Sequence, residues 1–208
     1  YLGNGTNPGI SWRDPGFNDT SWPAGTAELG YGDGDEATSI PIVDVDPVTS
    51  GVQKAATCYF RRTFNVSDHT EITGLSLTVE YDDAYAVYLN GNRIAGNLPT
   101  DPAYDWYTGN TIEDTTETIS IPSSHLVEGS NLIAVEVHQA GDGSSDLSMN
   151  LSLTATRVNT STPVYLTGTG PQTLRFRSKS GSTWSALAES AYQVGTVPPT
   201  PGSLVVSE

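Results

Sequence analysis

The segment Ala84-Tyr85-Ala86-Val87-Tyr88-Leu89-Asn90-Gly91 decides the fold class. Its first six residues favour a β-strand because aromatic and β-branched side chains suit a pleated surface. Asn90-Gly91 is the strongest short hairpin signal, since both turn positions require a positive φ. Residues 93–95 form the predicted return strand. A β-hairpin is therefore predicted at this point of the chain.

Further strands follow at a spacing of eight to twelve residues, with turn signals between them. They are predicted at residues 56–63, 75–79, 115–121, 131–138 and 146–156. The run Leu132-Ile133-Ala134-Val135-Glu136-Val137 is the most apolar and is predicted to be a central strand. Gly (21) and Pro (13) leave few windows for a helix. The pattern predicts an all-β chain built on a two-sheet sandwich.

The regular succession of predicted strands is interrupted after Arg157 by Asn159-Thr160-Ser161-Thr162-Pro163, so three parts of the chain are predicted. Residues 1–157 form the sandwich, 158–196 a small β unit, and 197–208 a Pro-rich tether with a tail strand. Strands in the small unit are predicted at 164–167, 172–178 and 183–194. This unit is too short to build an independent core, so we expect it to pack on the sandwich, on a missing strand or on another chain.

The net charge of the chain disfavours two classes of partner. The formal net charge is −15, and phosphate binding requires a dense Lys/Arg surface, so no nucleic-acid partner is expected. An anionic membrane surface is disfavoured for the same reason. No run of about 18 apolar residues occurs, so no membrane insertion is predicted.

Catalytic patterns are missing from the sequence, and an enzyme is not predicted. His69, His125 and His138 do not form a close-spaced ligand motif. Cys58 lies in an apolar run and is expected to be a buried, inert thiol. Asp82-Asp83 resembles a carboxylate pair, but adjacent residues on a strand point to opposite faces and do not flank one bond. Their expected role is hydrogen bonding in a turn and at a sheet edge.

Three segments carry a family resemblance. They are 12–32, with Gly16-Phe17-Asn18-Asp19-Thr20-Ser21-Trp22; 59–91, with Tyr81-Asp82-Asp83-Ala84-Tyr85; and 131–147, with Glu136-Val137-His138-Gln139. Together they resemble the galactose-binding-like jelly-roll domains of large secreted bacterial proteins.

The rest of the chain carries two weaker likenesses. Residues 163–194 resemble the last half of a chitobiase C-terminal, fibronectin-like fold, and residues 204–208 the first strand of a lamin-tail domain. Part of the first jelly-roll strand, before Tyr1, and the first half of the fibronectin-like unit are expected to be missing. The resemblance implies a non-catalytic role at an extracellular or cell-surface location, in a bacterial protein.

Two acidic, Gly-rich segments are candidates for a structural calcium site. Asp33-Gly34-Asp35-Glu36 and Asp142-Gly143-Ser144-Ser145-Asp146 offer hard oxygen ligands, with Asp33, Asp35 and Asp146 as the predicted ligands. Jelly rolls of this kind often carry such an ion. The alternative is that both segments are ordinary Asp/Gly turns.

A loop with exposed aromatic residues is the candidate carbohydrate site. Tyr104-Asp105-Trp106-Tyr107, with Asn97 nearby, offers aromatic faces and polar groups of the kind that bind sugars. The alternative is that these aromatic residues cap the sandwich or pack on residues 163–194.

The tail suggests strand exchange. Ser203-Leu204-Val205-Val206-Ser207-Glu208 follows a Pro-rich tether, and Leu204, Val205 and Val206 are the residues expected to add to an open sheet edge. That edge belongs either to a neighbouring subunit or to the same chain. The predicted function is a structural or adhesive module of an extracellular assembly, joined by strand addition. The alternative is a carbohydrate-binding module with a polysaccharide partner.

Overall fold

The computed structural model describes residues 1–158, 170–180 and 182–194. The chain divides into two compact units, Tyr1–Val158 and Asn159–Glu208. Apart from two short 3-10 helices, at Ile10–Arg13 and Ser123–His125, the regular structure of the described residues is β. The predicted all-β class is confirmed.

Nine strands build the first unit. In chain order they are β1 (Leu29–Tyr31), β2 (Thr38–Ser39), β3 (Thr57–Val66), β4 (Ile72–Tyr81), β5 (Ala84–Leu89), β6 (Asn92–Gly96), β7 (Thr115–Ile121), β8 (Gly129–His138) and β9 (Leu147–Arg157). They form a four-stranded sheet in the order β3-β8-β5-β6 and a five-stranded sheet in the order β2-β1-β9-β4-β7. Strand β8 has a neighbour on each side, so the prediction that residues 132–137 lie in a central strand is confirmed.

The core lies between these two sheets. Alternate side chains of each strand point inward, and several of them are completely inaccessible to water. These are Leu77, Val79, Val87, Leu89, Val137 and Leu147. A fully buried aliphatic side chain of this size contributes roughly 1.5–3 kcal/mol, so the sandwich is held mainly by this layer.

A second apolar cluster covers the outer face of the four-stranded sheet. Trp12 packs on Tyr59 and Tyr88, with ring centroids 4.7 and 5.6 Å away. The guanidinium group of Arg61 donates to the carbonyl oxygens of Trp12 and Asp14, and its Nε to Asp19 at 2.8 Å. These contacts fix the irregular N-terminal stretch to the sheet.

The predicted hairpin is present between β5 and β6, and its turn is tied to β8. Asn90 and Gly91 have φ of 51° and 83°. The Asn90 amide nitrogen donates to Asn131 Oδ1 at 2.8 Å, and Asn90 Oδ1 accepts from the Leu132 backbone at 2.8 Å. Asn131 is 1% exposed and also bonds to the backbone of Val127 and Gly129.

The described part of the second unit is a pair of small antiparallel ladders. Strand β10 (Gly170–Phe176) pairs with β13 (Ala188–Val194), and β11 (Lys179–Ser180) pairs with β12 (Thr183–Trp184). The strand predicted at 164–167 and the tail strand predicted at 203–208 lie outside the described residues. Within the described ranges, no helix has the length and apolar character needed to cross a membrane.

We expect Asn131→Ala to lower the free energy of unfolding by about 2 kcal/mol, because it leaves buried polar groups around β8 without partners. Urea unfolding followed by tryptophan fluorescence measures the change. The matched control is Asn92→Ala, since Asn92 is exposed and its hydrogen bonds are long, at 3.3 and 3.4 Å. Equal losses in the two variants would contradict the structural role given to Asn131.

Candidate functional site

The outer edge of β9 is only partly covered. Strand β1 has 3 residues and pairs with Leu147–Met149, whereas β9 has 11 residues. Along residues 151–157, β9 pairs with β4 on one side, and no described strand lies on the other. Backbone groups that point to that side have no sheet partner among the described residues, so this stretch can accept a further strand.

Strand β3 forms the facing edge of the other sheet, and it is also largely open. Leu2 and Tyr59 exchange two backbone hydrogen bonds, of 2.8 and 2.9 Å, as an isolated bridge. Beyond Tyr59, the described residues provide no further strand on this side of β3. Both sheets therefore end without a neighbour at the same margin of the sandwich.

Two cavities open along this margin, between the sheets. They measure about 430 and 390 Å³ and share Arg62, Ile133 and Leu151 in their linings. We call the combined space the edge groove. Its other apolar lining residues include Phe60, Phe64, Met149, Leu153 and Ala155.

Burial along β9 shows that the core loses its cover in the edge groove. Leu147 and Met149, which lie beside β1, are buried. Leu151 and Leu153 are half-buried, and Ala155 is exposed. These residues belong to one inward-facing row because they alternate along the strand. The row remains apolar where β1 no longer covers it, so the groove offers an apolar surface beside unpaired backbone.

The groove also has a distinct charge. Arg62 lines both cavities, is exposed, and makes no ion pair with a carboxylate among the described residues. Arg157 lines the second cavity, and its contact with Glu71, at 3.5 Å, is between exposed groups. The remaining charged side chains of the lining, Arg61 and Asp19, pair with each other at 2.8 Å. The excess of basic side chains, on a chain of net charge −15, favours an occupant that carries a carboxylate.

The predicted carbohydrate loop is hydrogen-bonded to the start of β3 and to the end of β8. Thr57 Oγ1 donates to the Tyr104 carbonyl at 2.8 Å, and His138 Nδ1 donates to the Trp106 carbonyl at 2.9 Å. Thr108 N also donates to the Gln139 carbonyl at 2.9 Å. His138 is completely buried, so here it acts as a support for the loop.

The five residues predicted for sugar binding divide into two groups. Tyr104 and Trp106 are 36% and 37% exposed, and Asp105 is exposed between them. Asn97 instead accepts a hydrogen bond from Tyr85 N at 2.9 Å, and the Tyr107 hydroxyl donates to the Lys54 carbonyl at 2.6 Å. Asn97 and Tyr107 thus shape the loop, and Tyr104, Asp105 and Trp106 present the free surface.

Two of the three predicted calcium ligands belong to one group of carboxylates, and the third lies close beside it. Asp33 and Asp35 have carboxylate oxygens within 4.8 Å of one another and of Glu28. Asp146 is outside that group and accepts from Ser145 Oγ at 2.7 Å. Burial, together with the nearby carboxylates of Asp114 and Asp146, raises the pKa of Asp33. A calcium ion at these three residues stays a prediction.

The expectation that Asp82 and Asp83 point to opposite faces of a strand is wrong. Both lie in the turn between β4 and β5, and their carboxylate oxygens approach within 4.8 Å of each other and of Glu113. The turn releases them from strand alternation. Cys58 is buried as expected, and burial raises the pKa of its thiol to about 12.

Comparison with known proteins gives only partial likenesses. No family model matches the chain, and no curated protein matches it. Among solved structures, three alpha-L-rhamnosidases are similar to part of it. The one from Streptomyces avermitilis, complexed with L-rhamnose, is 28% identical with a TM-score of 0.35 and covers 50% of this chain. Those from Dictyoglumus thermophilum and Aspergillus terreus are 19% and 16% identical, with TM-scores of 0.37 and 0.38, over 52% and 61% of this chain. This chain spans 9%, 12% and 15% of their respective lengths.

Proposed function

We propose that the chain is a non-catalytic structural or adhesive module of an extracellular assembly, and that its edge groove accepts a β-strand from a neighbouring subunit. The observation that carries this proposal is the unpaired outer side of β9 at residues 151–157, which lies beside an apolar groove. Exposed edges in soluble proteins are usually blunted by Lys, Pro or a bulge. Residues 151–156 read Leu-Ser-Leu-Thr-Ala-Thr and contain neither Lys nor Pro. A charged residue, Arg157, and a register shift on the facing strand β4 occur only at the end of this stretch.

The tail 203–208 is the proposed donor strand. It lies outside the described residues, so its suitability is argued from its sequence. Side chains alternate along a strand, so Leu204, Val206 and Glu208 share one face. That face offers two apolar groups for the groove and a carboxylate for Arg62 or Arg157.

The length of the acceptor also suits this donor. Residues 151–157 span about 23 Å at 3.3 Å per residue, which accommodates the whole tail. Acceptor and donor lie on the same chain at different places, so the contact is heterologous. Such contacts repeat from one subunit to the next and produce filaments when the ring does not close.

We expect the full chain to self-associate at about 10–100 µM, the weak range typical of an interface smaller than the standard size. Sedimentation equilibrium measures the mass. Leu204→Lys combined with Val206→Lys should give monomers, because two ammonium groups would enter an apolar groove that already contains Arg62 and Arg157. Ala155→Glu, on the acceptor, should do the same.

The matched control is Ser152→Glu, which adds the same charge to the same strand but on the opposite, exposed face. It should leave self-association intact. A wild-type chain that remains monomeric would refute intermolecular strand addition. So would a tail variant that loses stability without any change in mass, because the tail would then pack on its own chain.

A carbohydrate-binding module is the second candidate function, and the exposed faces of Tyr104 and Trp106 favour it. The hydrogen bonds from Thr57 and His138 hold their backbone in place, so binding would require little ordering of the loop. The resemblance to galactose-binding-like jelly rolls supports the same proposal. The net charge of −15 favours neutral polysaccharides over anionic ones.

Under this alternative, Trp106→Ala should reduce binding to a neutral polysaccharide by at least about tenfold, because one stacking face is lost. Affinity electrophoresis in gels containing neutral polysaccharides measures the effect. Trp184→Ala is the control, since Trp184 is 55% exposed but lies in the second unit. Unretarded migration of the wild-type protein in every gel would exclude this function.

A further inference from the structure

Asp82 is a buried carboxylate without a partner. It is 1% exposed, and neither of its side-chain oxygens has a hydrogen-bond partner among the described residues. An ionised carboxylate in such a place is costly unless a counter-charge lies beside it. The turn between β4 and β5 therefore contains a carboxyl group whose negative charge, once formed, no described side chain compensates.

The two neighbouring carboxylates are arranged around Asp82. Asp83 is held by backbone amides, with Oδ1 accepting from Ile112 at 3.1 Å and Oδ2 from Ala140 at 2.6 Å. Glu113 follows Ile112 and is exposed. One oxygen each from Asp82, Asp83 and Glu113 lies within 4.8 Å of the other two, a spacing that lets a single ion contact all three at 2.3–2.6 Å.

Carboxyl groups are crowded around this turn, and the pKa values of Asp82 and Glu113 are both raised. Burial first, and then the charges of Asp83, Asp146 and Glu113, raise the pKa of Asp82 to about 8. The charge of Asp146 is the largest cause that raises the pKa of Glu113. No ion pair joins Asp82, Asp83 or Glu113 to a basic side chain within the described ranges. Lys54 is nearby in the fold, but its ammonium group donates to the carbonyl oxygens of Ser144 and Ser145.

We propose that Asp82, Asp83 and Glu113 form a calcium site. All three donors are carboxylates, which suit a hard cation, and the group contains neither His nor Cys, the ligands typical of zinc. Calcium accepts irregular geometry and more than six oxygens, so it tolerates one buried ligand, one anchored ligand and one exposed ligand. This site differs from the group of Glu28, Asp33 and Asp35, and it is independent of strand addition and of sugar binding.

The ion would connect two parts of the sandwich. Asp82 and Asp83 belong to the β4–β5 turn, whereas Glu113 belongs to the segment that enters β7. The same segment begins near the Tyr104–Tyr107 loop, whose backbone bonds to the end of β8. Calcium would therefore stiffen one end of the sandwich by replacing carboxylate repulsion with shared coordination.

Isothermal titration of the full chain with CaCl₂, after removal of divalent ions, tests the site. We expect one calcium ion per chain at this site and a higher thermal midpoint with calcium than with chelator. Glu113→Gln should weaken calcium binding by about tenfold, because an exposed ligand loses its charge. Asp114→Asn, the neighbouring exposed residue, is the control and should change affinity by less than about threefold.

Asp82→Asn provides a second test, because it should change the thermal midpoint in opposite directions without and with calcium, relative to the unmodified chain. In chelator above about pH 8, where Asp82 is ionised, it should raise the thermal midpoint, because a buried charge without a partner disappears. It should also abolish the further rise with calcium. If Asp82→Asn does not fold, Glu113→Gln decides alone, since Glu113 is exposed. Absence of calcium binding overturns the site. So does calcium binding that survives Asp82→Asn and Glu113→Gln but is lost in Asp33→Asn with Asp35→Asn.

Discussion

The structure depends on one mismatch of strand lengths. Strand β1 has 3 residues and β9 has 11, so hydrogen bonding across this edge stops after Met149. The short strand β1 lies very close to β9. A Cβ atom at Gly30 would collide with the carbonyl oxygen of Leu147. Strand β9 is therefore an inner strand of its sheet at residues 147–149, where it pairs with β1. It is an open edge at residues 151–157.

This mismatch explains why the core is tight in one half and open in the other. Leu147 is completely buried where β1 lies beside β9. Ala155, eight residues further along the same inward-facing row, is exposed. The facing β3 edge has only the Leu2 bridge, so the other sheet does not compensate. Apolar side chains and free backbone groups then coincide in the edge groove, and this combination favours a β-strand over a compact ligand.

The acidic turn and the edge groove carry different chemistry. At the acidic turn, the carboxylates of Asp82, Asp83 and Glu113 accumulate negative charge, and the loop of Tyr104 and Trp106 is held nearby by β8. The edge groove instead contains Arg62 and Arg157. A cation bound at the acidic turn would compensate its negative charge. A carboxylate-bearing strand in the groove would compensate the positive charge of Arg62 and Arg157.

Much of the fold was predictable because it depends on local signals. Asn90-Gly91 defined a turn through backbone preference, and the apolar run 132–137 identified the central strand of a sheet. The site was less accessible from sequence, since its features depend on tertiary contacts. Asp82 and Asp83 were assigned by strand alternation to opposite faces, but the chain turns there. Asn97 and Tyr107 carry the side chains expected of a sugar site, yet the fold uses them to bond to backbone groups.

Hydrogen exchange along β9, measured by NMR on the unmodified chain at about 5 and 500 µM, tests the open edge most directly. Amides of residues 151–157 alternate between pointing to β4 and pointing to the open side. If a neighbouring subunit covers this side, the open-side amides exchange slowly in the concentrated sample and rapidly in the dilute one. Equal exchange rates at the two concentrations would contradict the account.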